Sequence, residues 1–288
     1  MPTSGDLTPY TRRGVLTLSR ITVFVAATAV LGSGAVAAAQ DHAQPSLDEA
    51  RGLFYNGRYE AAAALALPYC TVERVDLDAC ELATSAVHFQ IRRLLGSGKQ
   101  KLKLNACGKC QPLMTTFLAG IARGQAAATA TLAAHPADDE TRFLLAKIDL
   151  NYVWLQLATI GRRTGLKEYR QARRLLDEVL TRNPGMVRAQ IARAWIDYIV
   201  DTRMPLGTRW LLGGGDKNRG MRVIREAVAT PAEFFVATEA GFALWDMQVR
   251  EKQIPAAVVT ARSLARDFPA NEELARFLAR NDPASAAN

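Results

Sequence analysis

One short helical signature occurs twice in the second half of the chain. Ala172, Leu176, Val179 and Pro184 are matched in spacing by Ala257, Ala261, Leu264 and Pro269. Each set lays a small residue and then larger apolar ones along one helical face and stops the helix at a proline. A unit of this kind cannot bury its apolar face alone, so neighbours must stack on one another. This constraint points to an all-α chain of helical hairpins stacked as an α-solenoid.

The rest of the chain agrees with a helical reading. Alanine, leucine and arginine, all strong helix formers, are abundant, and alternating β-branched runs bounded by paired turn residues do not occur. Ser46-Leu47-Asp48-Glu49 has a capping-box pattern and predicts a first helix from Ser46 to about Asn56. A returning helix is expected over 59–67, stopped by Pro68, and a third over 77–95. Further helices are expected over 114–134, 138–163, 166–182, 187–203, 217–229, 232–250, 256–267 and 271–280. His135-Pro136, Asn183-Pro184, Met204-Pro205, Thr230-Pro231 and Phe268-Pro269 punctuate them. The segment 96–109, with three glycines and four lysines, reads as an irregular connection. The lysines are either a solvated face or a contact for an anionic surface. Residues 282–288 read as a disordered tail.

These features divide the chain into a leader (1–39), a helical region with cysteine-containing loops (40–113) and a repeat region (114–281). The order Leu166-Lys167, Leu175-Leu176, Asn183-Pro184, Tyr198, Pro205, Gly214-Gly215-Asp216, Gly220, Ala256-Ala257 and Phe268-Pro269-Ala270-Asn271 resembles the tetratricopeptide-repeat superfamily. Within it, the chain is similar to a long-helix branch, the tetratricopeptide-repeat 39 family. The likeness covers residues 115–278, and Gly57-Arg58-Tyr59-Glu60-Ala61-Ala62 adds an inter-helix turn of the same type. Trp245 stands where a standard repeat prefers a small residue, so the register is not strict. The resemblance implies scaffolding and partner binding, with no inherited catalytic residues and no cofactor.

The first forty residues bear on compartment. Arg12, Arg13 and Arg20 precede an apolar run over 21–31, and Ala35-Val36-Ala37-Ala38-Ala39 offers a cleavage site after Ala39. The run is shorter than the ~20 residues of a firm membrane span. Export to the periplasm or outside the cell is expected, by the general secretory or the twin-arginine route. An uncleaved anchor is the alternative. Beyond Ala39 no stretch is apolar enough to span a membrane. That part holds 33 basic and 27 acidic residues, a net charge of about +6. The excess is scattered, without the concentrated basic face of a nucleic-acid binder.

Four cysteines in an exported chain suggest two disulfides, and three connectivities are open. Cys70 and Cys80 flank a short connection. Cys107-Gly108-Lys109-Cys110 has the spacing of a redox pair, but neither a preceding tryptophan nor a strand-helix-strand context. His42, His88 and His135 are far apart in sequence, and Tyr152, Trp154, Trp195 and Tyr198 fall on long helices as core residues. No catalytic, metal or cofactor constellation emerges.

The most distinctive connection runs from Pro205 to Gly220. Gly213-Gly214-Gly215 supplies backbone freedom, and Asp216 is placed to cap a helix starting at Lys217. The connection is either a tight turn that buries Trp210 or a partner surface. In the second case Trp210 anchors the contact, and Lys217 and Arg219 hold an acidic group. The expected function is therefore a non-catalytic scaffold binding an envelope protein or peptide. A periplasmic small-ligand carrier feeding a transporter is the main alternative. A thiol-disulfide oxidoreductase using Cys107 and Cys110 is the other.

Overall fold

The computed structural model describes residues 43–96, 103–159 and 165–282, and every regular element among them is helical. The helices are α1 (Ala43–Tyr55), α2 (Tyr59–Ala66), α3 (Leu77–Leu95), α4 (Cys110–Ala134), α5 (Asp139–Thr159) and α6 (Leu166–Arg182). They continue with α7 (Val187–Arg203), the short α8 (Leu206–Arg209), α9 (Lys217–Ala229), α10 (Phe234–Arg250), α11 (Ile254–Asp267) and α12 (Glu272–Asn281). The leader, the lysines at 99 and 101, the expected helix end over 160–163 and the tail over 283–288 lie outside the described residues.

Helices near one another in the chain pack together in pairs. The pairs are α1/α2, α3/α4, α5/α6, α7/α9 and α10/α11, with α12 last. Their apolar contacts form a series of clusters rather than one central core. Leu47 and Leu82 centre one between α1 and α3; Phe117 and Ile148 another across α3, α4 and α5; Phe143, Leu176 and Ile196 a third across α5, α6 and α7. Tyr198 and Ile224 carry the series into α9 and α10, and Trp245, Leu264 and Leu274 close it at α12. Helix α4 runs straight across the boundary expected at residue 113.

The duplicated signature lands on equivalent positions. Ala172, Leu176 and Val179 of α6, and Ala257, Ala261 and Leu264 of α11, are all buried, each on the second helix of its hairpin. The turn that follows is the same in both cases. Asn183 (φ −129°, ψ 76°) and Phe268 (φ −126°, ψ 65°) leave the helical region ahead of a proline. In each, the amide bonds back to the carbonyl four residues earlier and the carbonyl accepts from the amide three residues on. His135 (φ −128°, ψ 74°) after α4 repeats both the angles and the bonds. Three of the connections that lead from one hairpin to the next are thus one structural device. Proline disfavours helix in the residue before it, and a one-residue excursion then redirects the chain.

The two ends of the stack are joined. Asn271, which caps α12 by accepting from the amides of Glu273 and Leu274, donates its side-chain amide to the Tyr55 carbonyl at 2.7 Å. The Ala270 amide donates to Asn56 Oδ1 at 3.1 Å. The Tyr55 ring lies among Phe235, Phe242 and Phe268, with centroids 5.2–6.2 Å away. The first hairpin therefore touches the last across more than two hundred residues of sequence.

Three helices start earlier than expected. Helix α1 begins at Ala43, which puts Ser46 inside the helix rather than at its cap; α4 begins at Cys110 rather than Met114; α11 begins at Ile254 rather than Ala256. Each helix contains a proline (Pro45, Pro112, Pro255) within its first turn, where the missing N–H has no helical partner to lose.

Candidate functional site

The connection between α7 and α9 is a rigid base carrying an exposed apolar tip, referred to below as the hook. Helix α8 and a 3-10 turn over Trp210–Leu212 lead to Gly213 (φ 76°) and Gly214 (φ 73°), both in the left-handed region that favours glycine. Arg173 of α6 fastens this bend, donating to the carbonyls of Leu212 (2.7 Å), Gly213 (2.6 Å) and Gly214 (2.8 Å). Tyr169 donates to the Leu212 carbonyl as well, at 2.8 Å. Gly215 lies so close to α7 that a Cβ would fall 2.6 Å from the Asp201 amide nitrogen. Asp201 pairs with Arg209 and accepts from the Lys217 amide, while Asp216 caps α9 through the Arg219 amide at 2.9 Å.

Above this base the side chains face solvent. Leu206 is 80% exposed, Trp210 72% and Leu211 48%, whereas Leu212 and Met204 tuck against the core. Trp210 is thus not the buried aromatic of a tight turn. Beside the tip, a groove of about 440 Å³ runs between Leu211–Gly213 and the Arg170, Arg174 and Glu178 face of α6.

Lys217 and Arg219 are engaged elsewhere. Lys217 Nζ donates to Glu251 Oε2 at 2.6 Å, and this bond holds the Glu251 carboxyl below its ordinary range. Glu251 also accepts from Tyr198, whose hydroxyl is pushed up by burial and then by that carboxylate. Arg219 pairs with the buried Asp197, which Arg193 reaches from the other side at 2.5 Å. Their charges are met within the chain, and the apolar tip stands without them.

A second constellation, not anticipated from the sequence, lies where α1, α3, α5, α7 and α10 converge. Lys147 of α5 pairs with Glu239 of α10 at 2.5 Å and with Glu81 of α3 at 3.7 Å. Arg188 of α7 pairs with Glu140 at 2.6 Å and with Asp78 at 3.2 Å, and Asp78 also meets Arg51 of α1 at 3.2 Å. Burial pulls the Lys147 ammonium down, but Glu239 and then Glu81 outweigh it and hold the group above its ordinary value. Glu140 is raised by burial, against Arg188. The Arg188 guanidinium also lies over the Phe143 ring and Arg51 over Phe235. Next to this network Asn151 donates to Thr84 and to the Glu81 carbonyl and accepts from Ser85. This inner face, shared by α1, α3, α5, α7 and α10, is filled by the protein's own charges.

The cysteines form Cys70–Cys80 and Cys107–Cys110, with Cα separations of 4.9 and 5.2 Å. All four sulfur-bearing residues are buried. Cys70–Cys80 ties the connection after α2 to α3, and Arg123 of α4 clasps the same place by donating to the Cys70 carbonyl. Cys110 opens α4, but thiol exchange needs an accessible sulfur, which neither member of the pair presents.

Of the three histidines, His88 is buried, with Nε2 unpartnered and its pKa pushed down to about 3 by burial and then by Arg92. Asp149 is fully buried; Oδ1 accepts from Gln125 at 2.7 Å, Oδ2 has no partner, and burial raises its pKa to about 7. Tyr198 is buried, and Tyr152, Trp154 and Trp195 are partly buried against the core clusters. Among the described residues, no three His, Cys, Asp or Glu side chains converge as a metal site would require, and no helix is long and apolar enough to cross a membrane. Comparison with known proteins finds no matching family model, no matching curated protein and no matching solved structure.

Proposed function

We propose that this chain is an exported, non-catalytic scaffold of tetratricopeptide-like helical hairpins that binds a protein or peptide partner in the cell envelope through the hook. The carrying observation is the exposure of Trp210 and Leu206 on a base held by Arg173, Asp201 and Gly215. Contiguous apolar exposure on a rigid support costs solubility and marks interaction sites, and tryptophan is the side chain most enriched among binding hot spots. The three stereotyped proline turns support the repeat reading, and buried disulfides are compatible with an oxidising compartment. The inner face, with its charges already paired, favours binding on the outside over a carrier's internal groove.

Affinity capture from an envelope extract, comparing the native protein with Trp210→Ala, tests the reading. The variant is expected to melt like the native protein and to lose one specific captured protein. Equal capture by both, or a large loss of stability on removing Trp210, overturns the hook as a recognition site.

A further inference from the structure

Between Glu81 and Asp138 the sequence contains seven lysines and arginines and not one aspartate or glutamate, over fifty-six residues. The fold gathers four of the five described cations of this run at one end of the α3/α4 hairpin. Arg92 and Arg93 lie in the last turn of α3, Lys103 precedes the 3-10 turn over Leu104–Ala106, and Lys109 immediately precedes α4. The α1–α2 turn adds Arg58 at the same end, since the Tyr59 ring packs on Phe89 of α3 and Gln90 donates to the Tyr59 carbonyl. All five cations are exposed, and none makes an ion pair among the described residues. Elsewhere arginines are commonly paired, as Arg142, Arg174, Arg182, Arg188, Arg193 and Arg219 are.

Two of these guanidiniums are also held in place. Arg93 lies 4.9 Å over the Tyr59 ring and Arg92 5.1 Å over Phe89. Such stacking fixes the cation while leaving its N–H donors free for an oxyanion. Leu94, next along the chain, is 37% exposed, and Leu118, two turns along α4, is 42% exposed. Helix α4 itself carries a single charged residue, Arg123, which is turned to the Cys70 carbonyl. The nearby acids are Glu60, exposed on α2, and Glu273 of α12, which faces Tyr59. Neither pairs with any of the five cations.

We propose that this end of the molecule docks on an anionic phospholipid surface. Headgroup phosphates would meet Arg58, Arg92, Arg93, Lys103 and Lys109, and Leu94 would sit at the headgroup boundary. Clustered cations without ion-pair partners draw a protein to anionic lipid within a Debye length of the surface, and an exposed leucine beside them adds apolar contact. This site is separate from the hook and stands or falls without it.

The test is co-sedimentation of the full chain with phosphatidylcholine vesicles, with and without about 30% phosphatidylglycerol. The native protein is expected to bind only the anionic vesicles, and to lose at least about tenfold in affinity between low and high salt. Arg92→Glu with Arg93→Glu should abolish binding, and so should Lys103→Glu with Lys109→Glu, a pair that disturbs no ring contact and serves if the first fails to fold. Arg170→Glu with Arg203→Glu, which makes the same change in net charge at unpaired arginines elsewhere, should bind like the native protein. Equal binding to neutral vesicles, no binding at all, or equal loss in the control pair overturns the proposal. Competition by soluble polyphosphate at matched phosphate concentration that removes the protein entirely from the vesicles overturns the lipid assignment.

Discussion

On the inner face of the stack, Lys147 and Arg188 are drawn away from solvent among four carboxylates, whereas on the hook three large apolar side chains stand in it. Each region inverts what its position would ordinarily hold. Inside, nearly every polar group has found a partner, so the arrangement is complete and asks for nothing from outside. On the hook, the backbone bend is clamped by Arg173 and Tyr169 and the apolar side chains are left unserved. The difference teaches that exposure alone is a poor guide to a site. A satisfied charge cluster reads as architecture, and an unsatisfied apolar cluster on a fixed base reads as recognition.

The sharpest way to break this comparison is to remove the inner cation. Lys147→Met leaves Glu239 and Glu81 facing each other without a counter-charge and should cost about 3–5 kcal/mol in urea unfolding. A loss below about 1 kcal/mol would mean that the inner face is solvated and open to ligands after all.

The next test concerns a buried carboxylate with one oxygen left unpartnered. Asp149 has its pKa raised from 3.8 to about 7 by burial, so the folded state holds a proton that the unfolded state releases. The folded state binds more protons between those values. Its stability should therefore fall as pH rises from about 4 to 7 and change little through this group above that. Asp149→Asn should remove this slope and stabilise the protein at pH 8 by about 2–4 kcal/mol. Thermal melts of both proteins across pH 4–8 would show it, and parallel curves would refute it.

Smaller effects belong to the hook. Asp216→Ala removes the cap of α9 and should cost about 1 kcal/mol. Trp210→Ala should change stability by less than about 0.5 kcal/mol, as for other surface positions, and this smallest effect is the one that most sharpens the contrast with Lys147.

Much of the fold could be read locally. The bounds of α3, α6, α7 and α9 follow from glycines, prolines and the Asp216 cap, all of which act within a few residues. The starts of α1, α4 and α11 could not, because each first turn holds a proline, which is compatible with helix there yet reads as a breaker, and in α1 a capping-box pattern falls inside the helix. The inner network was out of reach for a different reason. Lys147 and Glu239 are 92 residues apart, and Arg188 and Asp78 are 110 apart. Only the packing of distant helices against one another brings them together, and no window of sequence contains it. Trp210 was singled out as a candidate, but its exposure was not foreseeable. Composition says only that such a side chain prefers burial, and what keeps it out is the clamp from Arg173 on another helix.

The bond between Asn271 and the Tyr55 carbonyl bears on how the molecule comes apart. A linear array of repeats loses its outermost units first, because each is supported on one side only, and it shortens without collapsing. Here neither terminal hairpin is outermost. Freeing α12 also uncovers Tyr55, and displacing α1 also unseats Arg51 from Asp78. Melting should therefore be a single cooperative event rather than a progressive fraying, and truncation at either end should injure the other. The contact between distant ends must also form against a large loop-closure entropy, so the complete structure assembles late, after the individual hairpins.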